Sequence, residues 1–489
     1  MPDLGRSSLP RGHGLRRGPI TARSLRHKAS WNGRFVSPTP PQRPWPDLDH
    51  LRSRIAVRCI ALLAVPTIVA ATFAGDPAVA SSARIQPRDL ISRIADELSW
   101  LQTPPSIARC ISKLRARCYT APQLLSAYGI DRLHKAGIDG RGTKIAVLVS
   151  PSPTLQADLN RAARAWKLPK TKIRTIKPSG DVPYSFDGAV EATLDTQAAH
   201  FVAPRAKILF VVVSAAAAAS AGNDALEDAP LATAINAAVK AGADVISMSF
   251  SGTEQPYPHF RSAIARAHQK GVAVVTSSGD TGVVYGSAST GAQPARGTNY
   301  PQTDRNVTAV GGTLMTLSGS GRRLIPDIAW GPDALGGASG GGVSGLYARP
   351  GWQRTVKGTV ATGRNYPDIS MNGADSSGFL VAITLPTDQG PQKLFHPISG
   401  TSESAPLFAG IVALAVQAGH HRLPNVNRAL YSLARRPGAN GLTDVVQGNN
   451  SYAGVAGFVA QSGYDLVSGV GTVGNAPRFV RALARKAKR

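Results

Sequence analysis

The alternation of apolar and polar positions changes character near Tyr119. From there, apolar runs of strand length alternate with segments whose apolar residues recur at helical spacing. The pattern predicts strands at 144–149, 206–213, 244–250 and 272–277, separated by helices at 155–166, 190–201, 231–241 and 260–270. Strand and helix in alternation predict an α/β fold: a doubly wound, mostly parallel sheet with helices on both faces. In such sheets function collects at the carboxyl ends of the strands. Residues 317–400 are Gly-rich and read as loop-heavy, and no repeat at solenoid periods is evident.

The chain before Tyr119 reads differently. Residues 1–50 are rich in Arg and Pro, lack apolar periodicity and read as a disordered basic extension. One hypothesis is that translation starts near residues 51–57 and that the first fifty residues are a gene-model error. Arg52, Arg54 and Arg58 precede an apolar run over 60–74 that ends in Ala78-Val79-Ala80. A basic flank, a short apolar core and a small-x-small site predict a signal peptide over 51–80, cleaved after Ala80. The run is too short to span a bilayer comfortably, and Pro66 interrupts it. The expectation is a secreted protein with no stable membrane span after cleavage. Residues 81–118 form a short leader with an amphipathic helix near 90–101 and two cysteines. In an exported chain Cys110 and Cys118 are expected to close one disulfide, since Cys59 falls in the removed segment. The main domain is expected over 119–489.

Net charge is +26, of which +8 lies in residues 1–80 and +18 is spread over the rest. One basic cluster ends the chain (Arg481, Arg485, Lys486, Lys488, Arg489), without interleaved aromatics. No recognition motif accompanies the charge, so it reads as a solvated basic surface and not as a nucleic-acid interface. Hydrophobic content of 43% with 17% charged residues fits an ordered globular chain.

Three elements can carry chemistry. Ser399-Gly400-Thr401-Ser402-Glu403-Ser404-Ala405-Pro406 opens onto an apolar helical run over 407–416. Such a turn either caps a buried helix, with Pro406 in its first turn, or exposes a serine hydroxyl beside a helix N-terminus. Glu191 and Asp195 are four residues apart, hence on one helical face. Two like charges there sit either on a solvated face or in a cleft, sharing one proton. The apolar residues around them favour burial. Ser277-Ser278-Gly279-Asp280 follows a strand directly and reads either as a turn or as a carboxyl poised at the strand end.

Together, and in this order, these elements resemble the sedolisins, the serine-carboxyl peptidases of subtilisin-like fold. The resemblance runs from Tyr119 to about Asn475. It includes Tyr119-Thr120-Ala121-Pro122, Glu191-x-x-Leu194-Asp195, Ser249-Phe250-Ser251-Gly252-x-Glu254, Ser278-Gly279-Asp280, Ala309-Val310-Gly311-Gly312-Thr313, Pro367-Asp368-Ile369-Ser370 and Gly400-Thr401-Ser402-x-Ser404-Ala405-Pro406. The resemblance implies that Ser402 is the nucleophile and Glu191 the general base. It further implies that Asp195 orients Glu191, that Asp280 sits at the oxyanion site, and that residues 249–252 line the substrate groove. A carboxylate base, with a pKa near ~4, stays usable in acid where an imidazole near ~6.5 is protonated. The implied activity is acid hydrolysis of proteins or peptides, as an endopeptidase or a tripeptidyl-type peptidase, by a monomer. The alternative is a catalytically impaired relative that binds peptides in the same groove.

The resemblance also implies one structural calcium ion, held by Asp444 and Asp465 side chains and by the carbonyls of Val445, Gln461 and Gly463. Oxygen-only ligation suits a hard cation. Gln461 stands where the family usually has Gly, which puts the turn geometry in question. The strand over 145–149 runs into Ser150 and not into Asp, and His200 lacks the subtilisin His-Gly-Thr context. Both departures argue against a hidden Ser-His-Asp triad and give His200 a structural reading.

Overall fold

A computed structural model describes residues 98–214, 225–285, 295–332, 336–386 and 390–487. The extension over 1–50, the signal segment over 51–80 and the start of the leader, with most of its 90–101 helix, lie outside the described residues.

Nine strands define the central sheet: β1 (Lys144–Val149), β2 (Arg174–Ile176), β3 (Lys207–Val212), β4 (Val245–Met248), β5 (Ala273–Ser277), β6 (Val307–Leu314), β7 (Ile369–Asn372), β8 (Leu442–Thr443) and β9 (Thr472–Val473). Their spatial order is β2-β3-β1-β4-β5-β6-β7-β9-β8. Every pair is parallel except β8 with β9, and a short strand, Ile328–Ala329, adds antiparallel to β6. From β1 the chain runs to the edge strand β2, returns through β3 beside β1 and then crosses to β4 on the other side, so β1 is the switch point of the sheet. Crevices for ligands open at the strand carboxyl ends beside such a point.

The helices that cover the sheet are α1 (Leu155–Ala165), α2 (Phe186–Val202), α3 (Asp228–Lys240), α4 (Pro258–Gln269), α5 (Thr401–Gly419) and α6 (Ala476–Lys486). Strand pleating explains the layers. Ile145, Val147 and Val149 of β1 join the larger core with α2 and α5, while Ala146 and Leu148 join a second core with α3 and α4. A strand covered on both faces has no solvent side, which is why these segments read as unbroken apolar runs.

Two differences from the sequence-based expectations have plain causes. The stretch read as loop-heavy contains a long hairpin, Ser377–Leu385 against Gln392–Ile398, that packs on the main core. Its strands are framed by glycines and polar turns, and what shapes them is pairing with each other and with Arg117–Tyr119. The second difference is in α5, which starts at Thr401, so Pro406 is its sixth residue and not part of its first turn. Having no N–H, Pro406 cannot bond the Ser402 carbonyl in the helical pattern.

Cys110 and Cys118 are disulfide-bonded, with Cα atoms 5.9 Å apart. The bridge ties the helix Ile107–Leu114 to the strand that pairs with the hairpin. Opening this short loop by a Cys110→Ser, Cys118→Ser double change is expected to cost about 2–3 kcal/mol from loop entropy. Urea unfolding at constant slope would read it, and an unchanged midpoint would contradict it.

Candidate active site

α2 is capped by Ser185, whose hydroxyl accepts the Gly188 N–H at 3.2 Å. Thirteen of its seventeen residues are buried, so the face carrying Glu191 and Asp195 is not a solvated one. Asp195 is fully buried, and Glu191 keeps partial exposure although its Oε1 is buried. α2 packs directly on α5, which brings Ser402, the second residue of α5, to the carboxyl pair.

The hydroxyls of Ser402 and Ser249 and the carboxyl of Asp195 all act on the Glu191 carboxylate, whose Oε1 makes no hydrogen bond among the described residues. Burial raises Glu191, the Ser402 bond opposes the rise and the charge of Asp280 adds to it, leaving Glu191 pushed up to about 7. Burial, and then the charge of Glu191, hold Asp195 well above the usual carboxylate range. Both carboxyls are raised by burial, so the pair shares one proton. The raised Glu191 departs from the ordinary carboxylate value near ~4 expected for the base that the resemblance implied, because the sequence did not disclose how completely the site excludes water.

Ser249 follows β4, and its hydroxyl donates to Asp195 Oδ1 at 2.9 Å. It also approaches the Ser402 carbonyl at 3.5 Å, the carbonyl that Pro406 leaves without a helical donor. Ser249 was expected only to line the groove; the tertiary fold makes it a tie between the dyad and the nucleophile's backbone.

Asp280 follows β5. Its Oδ1 accepts both the Thr401 N–H at 2.8 Å and the Thr401 hydroxyl at 2.7 Å. Thr401 Oγ1 in turn accepts the Gly279 N–H at 3.0 Å. With Oδ1 committed as acceptor, a proton carried by neutral Asp280 belongs on Oδ2. Gly400 has φ of 105°, and a Cβ there would lie 2.8 Å from Asp280 Oδ2, so this turn requires glycine on both counts. The structure thus brings together all four expected residues. Thr401 was quoted in the motif without a role; a hydroxyl residue next to a nucleophile was the signal present.

His200, on α2, is buried and pushed down to about 4, so it is neutral across the range in which the dyad titrates. Ser150 stands at the end of β1 where a triad acid would be.

The five residues expected around a metal also converge. Gly463 N–H donates to Asp444 Oδ2 at 2.8 Å and Gln461 N–H to Asp465 Oδ2 at 2.9 Å. The Ser468 hydroxyl bridges Asp465 Oδ1 at 3.1 Å and the Val445 carbonyl at 3.5 Å. Gly463 has φ of 90°, whereas Gln461 is not among the residues with positive φ. A glycine is therefore required at 463 and not at 461, which removes the doubt over Gln461.

The model of the Subtilase family matches residues 188–448. Kumamolisin of Bacillus sp. (strain MN-32) is 29% identical over 376 residues, covering 72% of this chain and 62% of its own length. Sedolisin of Pseudomonas sp. (strain 101) is 31% identical over 343 residues, covering 66% of this chain and 54% of its own. The chain thus spans less than two thirds of the length of these relatives. A solved structure of Pseudomonas sedolisin, described as a serine-carboxyl proteinase complexed with two molecules of pseudo-iodotyrostatin, superposes with a TM-score of 0.62 at 27% identity. It covers 74% of this chain and 97% of that one. Fold, site geometry and likeness agree: the chain belongs to the subtilase family and is similar to the sedolisins.

Proposed function

We propose that this chain is a secreted peptidase that cleaves proteins or peptides in acid through an acyl-enzyme on Ser402. The observation that carries the reading is that Ser249 ties buried Asp195, on the same helical face as Glu191, to the backbone of Ser402, while Asp280 is tied to the neighbouring Thr401. Glu191 takes the Ser402 proton as Oγ attacks the substrate carbonyl. Asp280 Oδ2–H and the N-terminus of α5 face the charge that develops on the carbonyl oxygen. Glu191 then gives its proton to the leaving amine, and a water activated by the same carboxylate releases the acyl group.

Two protonation states set the working range. Asp280 must be neutral to donate, and once neutral it no longer adds its charge to the rise of Glu191. Burial, the larger cause, still holds Glu191 up, so activity is bounded by protonation of Glu191 on one side and ionisation of Asp280 on the other. Digestion of a peptide library from acid to alkaline pH, read by mass spectrometry, tests the reading. Cleavage confined to the acid side and absent in Ser402→Ala supports it; a maximum above neutrality would refute it. Export rests on the signal pattern over 51–80 alone, and N-terminal sequencing of the secreted protein checks cleavage after Ala80.

We further propose one calcium ion held by the carboxylates of Asp444 and Asp465 and the carbonyls of Val445, Gln461 and Gly463. The donor set is all oxygen, as a hard cation requires, and hydrogen bonds tie Gly463 to Asp444 and Gln461 to Asp465. Bound calcium would neutralise the two carboxylates and fasten the turns together. Calcium at 100-fold over its dissociation constant is expected to add about 2.7 kcal/mol. A chelator should lower the melting temperature accordingly, and Asp465→Ala should abolish the response; a chelator-insensitive melt would count against the site.

A further inference from the structure

Two segments flank Ser402. One is 249–253, tied to the dyad through Ser249; the other is 277–280, tied to α5 through Asp280. A third segment, 299–302, joins them. Asn299 and Tyr300 pair antiparallel with Thr253 and Gly252. Gln302, fully buried, donates from Nε2 to the Ser277 carbonyl at 2.6 Å and reaches the Phe250 carbonyl at 3.4 Å. Gly252 and Gly279 leave this space without side chains from either flank. A Cβ built on Gly279 would stand 3.1 Å from Asn299 Nδ2, which places the Asn299 head at that gap.

Asn299 is only 7% exposed, yet its Oδ1 has no hydrogen-bond partner among the described residues. Gln302 Oε1 is likewise buried and unpartnered, and its identity as acceptor is fixed by the two carbonyls that its Nε2 serves. Leaving buried acceptors unsatisfied costs about 1–3 kcal/mol each, and a ligand that donates to them recovers that cost. The acid on the adjoining segment is already engaged. Glu254 is occupied by the hydroxyls of Thr298 and Ser344 and by the Gly345 N–H. A neutral donor satisfies the two acceptors without the cost of burying a charge, so it is favoured over a cation.

We propose that Asn299 is a specificity-determining residue. Its head floors the space between 250–252 and 278–280, and it selects a neutral hydrogen-bonding side chain, a carboxamide above all, on the acyl side of the scissile bond. A carboxamide both donates and accepts, so it pairs with the Asn299 amide whichever way that amide is turned. The inference rests on the peptidase reading and deepens it.

Two measurements on the full chain test it. In matched peptides that differ only at the acyl-side residue, glutamine is expected to exceed norleucine by about 10-fold in kcat/KM, the worth of one well-made buried hydrogen bond. Asn299→Leu should abolish or invert that ratio, and Asn299→Asp should shift the preference toward lysine. A norleucine preference in the unaltered protein, or a ratio unmoved by Asn299→Leu, overturns the proposal while leaving the peptidase reading intact. Calorimetry of Ser402→Ala protein with product peptides ending in glutamine or norleucine reads the same discrimination without turnover. There, about 10-fold tighter binding of the glutamine peptide supports the proposal even if no cleavage is found, and equal affinity overturns it. Thermal melts of both Asn299 variants identify any loss caused by misfolding.

Discussion

Replacing Ser402 with alanine is expected to lower kcat by about 10⁶-fold, and replacing Glu191 with glutamine by about 10⁴-fold. Glutamine keeps the shape and the position on α2 but cannot take a proton, so attack by Ser402 would leave its hydrogen without an acceptor. The loss should appear in kcat with KM nearly unchanged, because the group acts on the transition state and not on the bound substrate. The double variant should be no slower than Ser402→Ala alone, since the two groups form one device and their effects do not add. Single-turnover kinetics on a peptide cleaved by the unaltered protein would measure all three. If Glu191→Gln retained a rate within about 10-fold of the unaltered chain, the base would have to be sought elsewhere.

The second large effect concerns stability, and it comes from Glu403, next to the nucleophile. Its side chain has no exposure; Oε1 accepts from Asn372 Nδ2 at 2.8 Å, while Oε2 is buried without a partner among the described residues. Burial holds its carboxyl well above the usual range, against the opposing pull of the Asn372 bond. For an acid raised on folding, the stabilising contribution is complete below the unfolded value, near ~4.3, and is lost as pH climbs toward the folded value. Glu191 and Asp195 act in the same sense. Buried His134, His200 and His396 are held down by burial and act in the opposite sense, losing stability as pH falls below about 6.5. The whole-protein curve is therefore a contest, and a difference measurement isolates Glu403. Glu403→Gln, which cannot ionise, is expected to gain on the unaltered chain by about 1.4 kcal/mol per pH unit above ~4.3. The gain should continue until the folded value is reached. Urea titrations of both proteins at a series of pH values would show it, and a constant difference would exclude a buried, neutral Glu403.

Much of this molecule was legible locally. Strand and helix alternation from 144 to 277 is a short-range property, because an apolar run covered on both faces cannot be written any other way. The spacing of Glu191 and Asp195 placed them on one helical face before any fold was known. The Cys110–Cys118 pairing followed from two thiols a few residues apart in a chain with an export pattern. The hairpin at 377–398 was not legible. Its strands owe their conformation to partners in other parts of the chain, Arg117–Tyr119 among them, and its glycine-rich surroundings mask the apolar run. Nor were the duties of Thr401 and Ser249 visible, since each is defined by a residue more than fifty positions away.

The chain's own order of residues determined which groups are present, how they are spaced within an element, and which turns demand glycine, because those are matters of bond rotation and side-chain chemistry over a few residues. The tertiary structure decided which of them meet and how strongly they hold their protons. The Glu191 proton affinity, the commitment of Asp280 Oδ1 to Thr401 and the unsatisfied heads of Asn299 and Gln302 all depend on how far the surrounding layers exclude water. Exclusion of water is a property of packing between distant segments, and no stretch of sequence carries it alone.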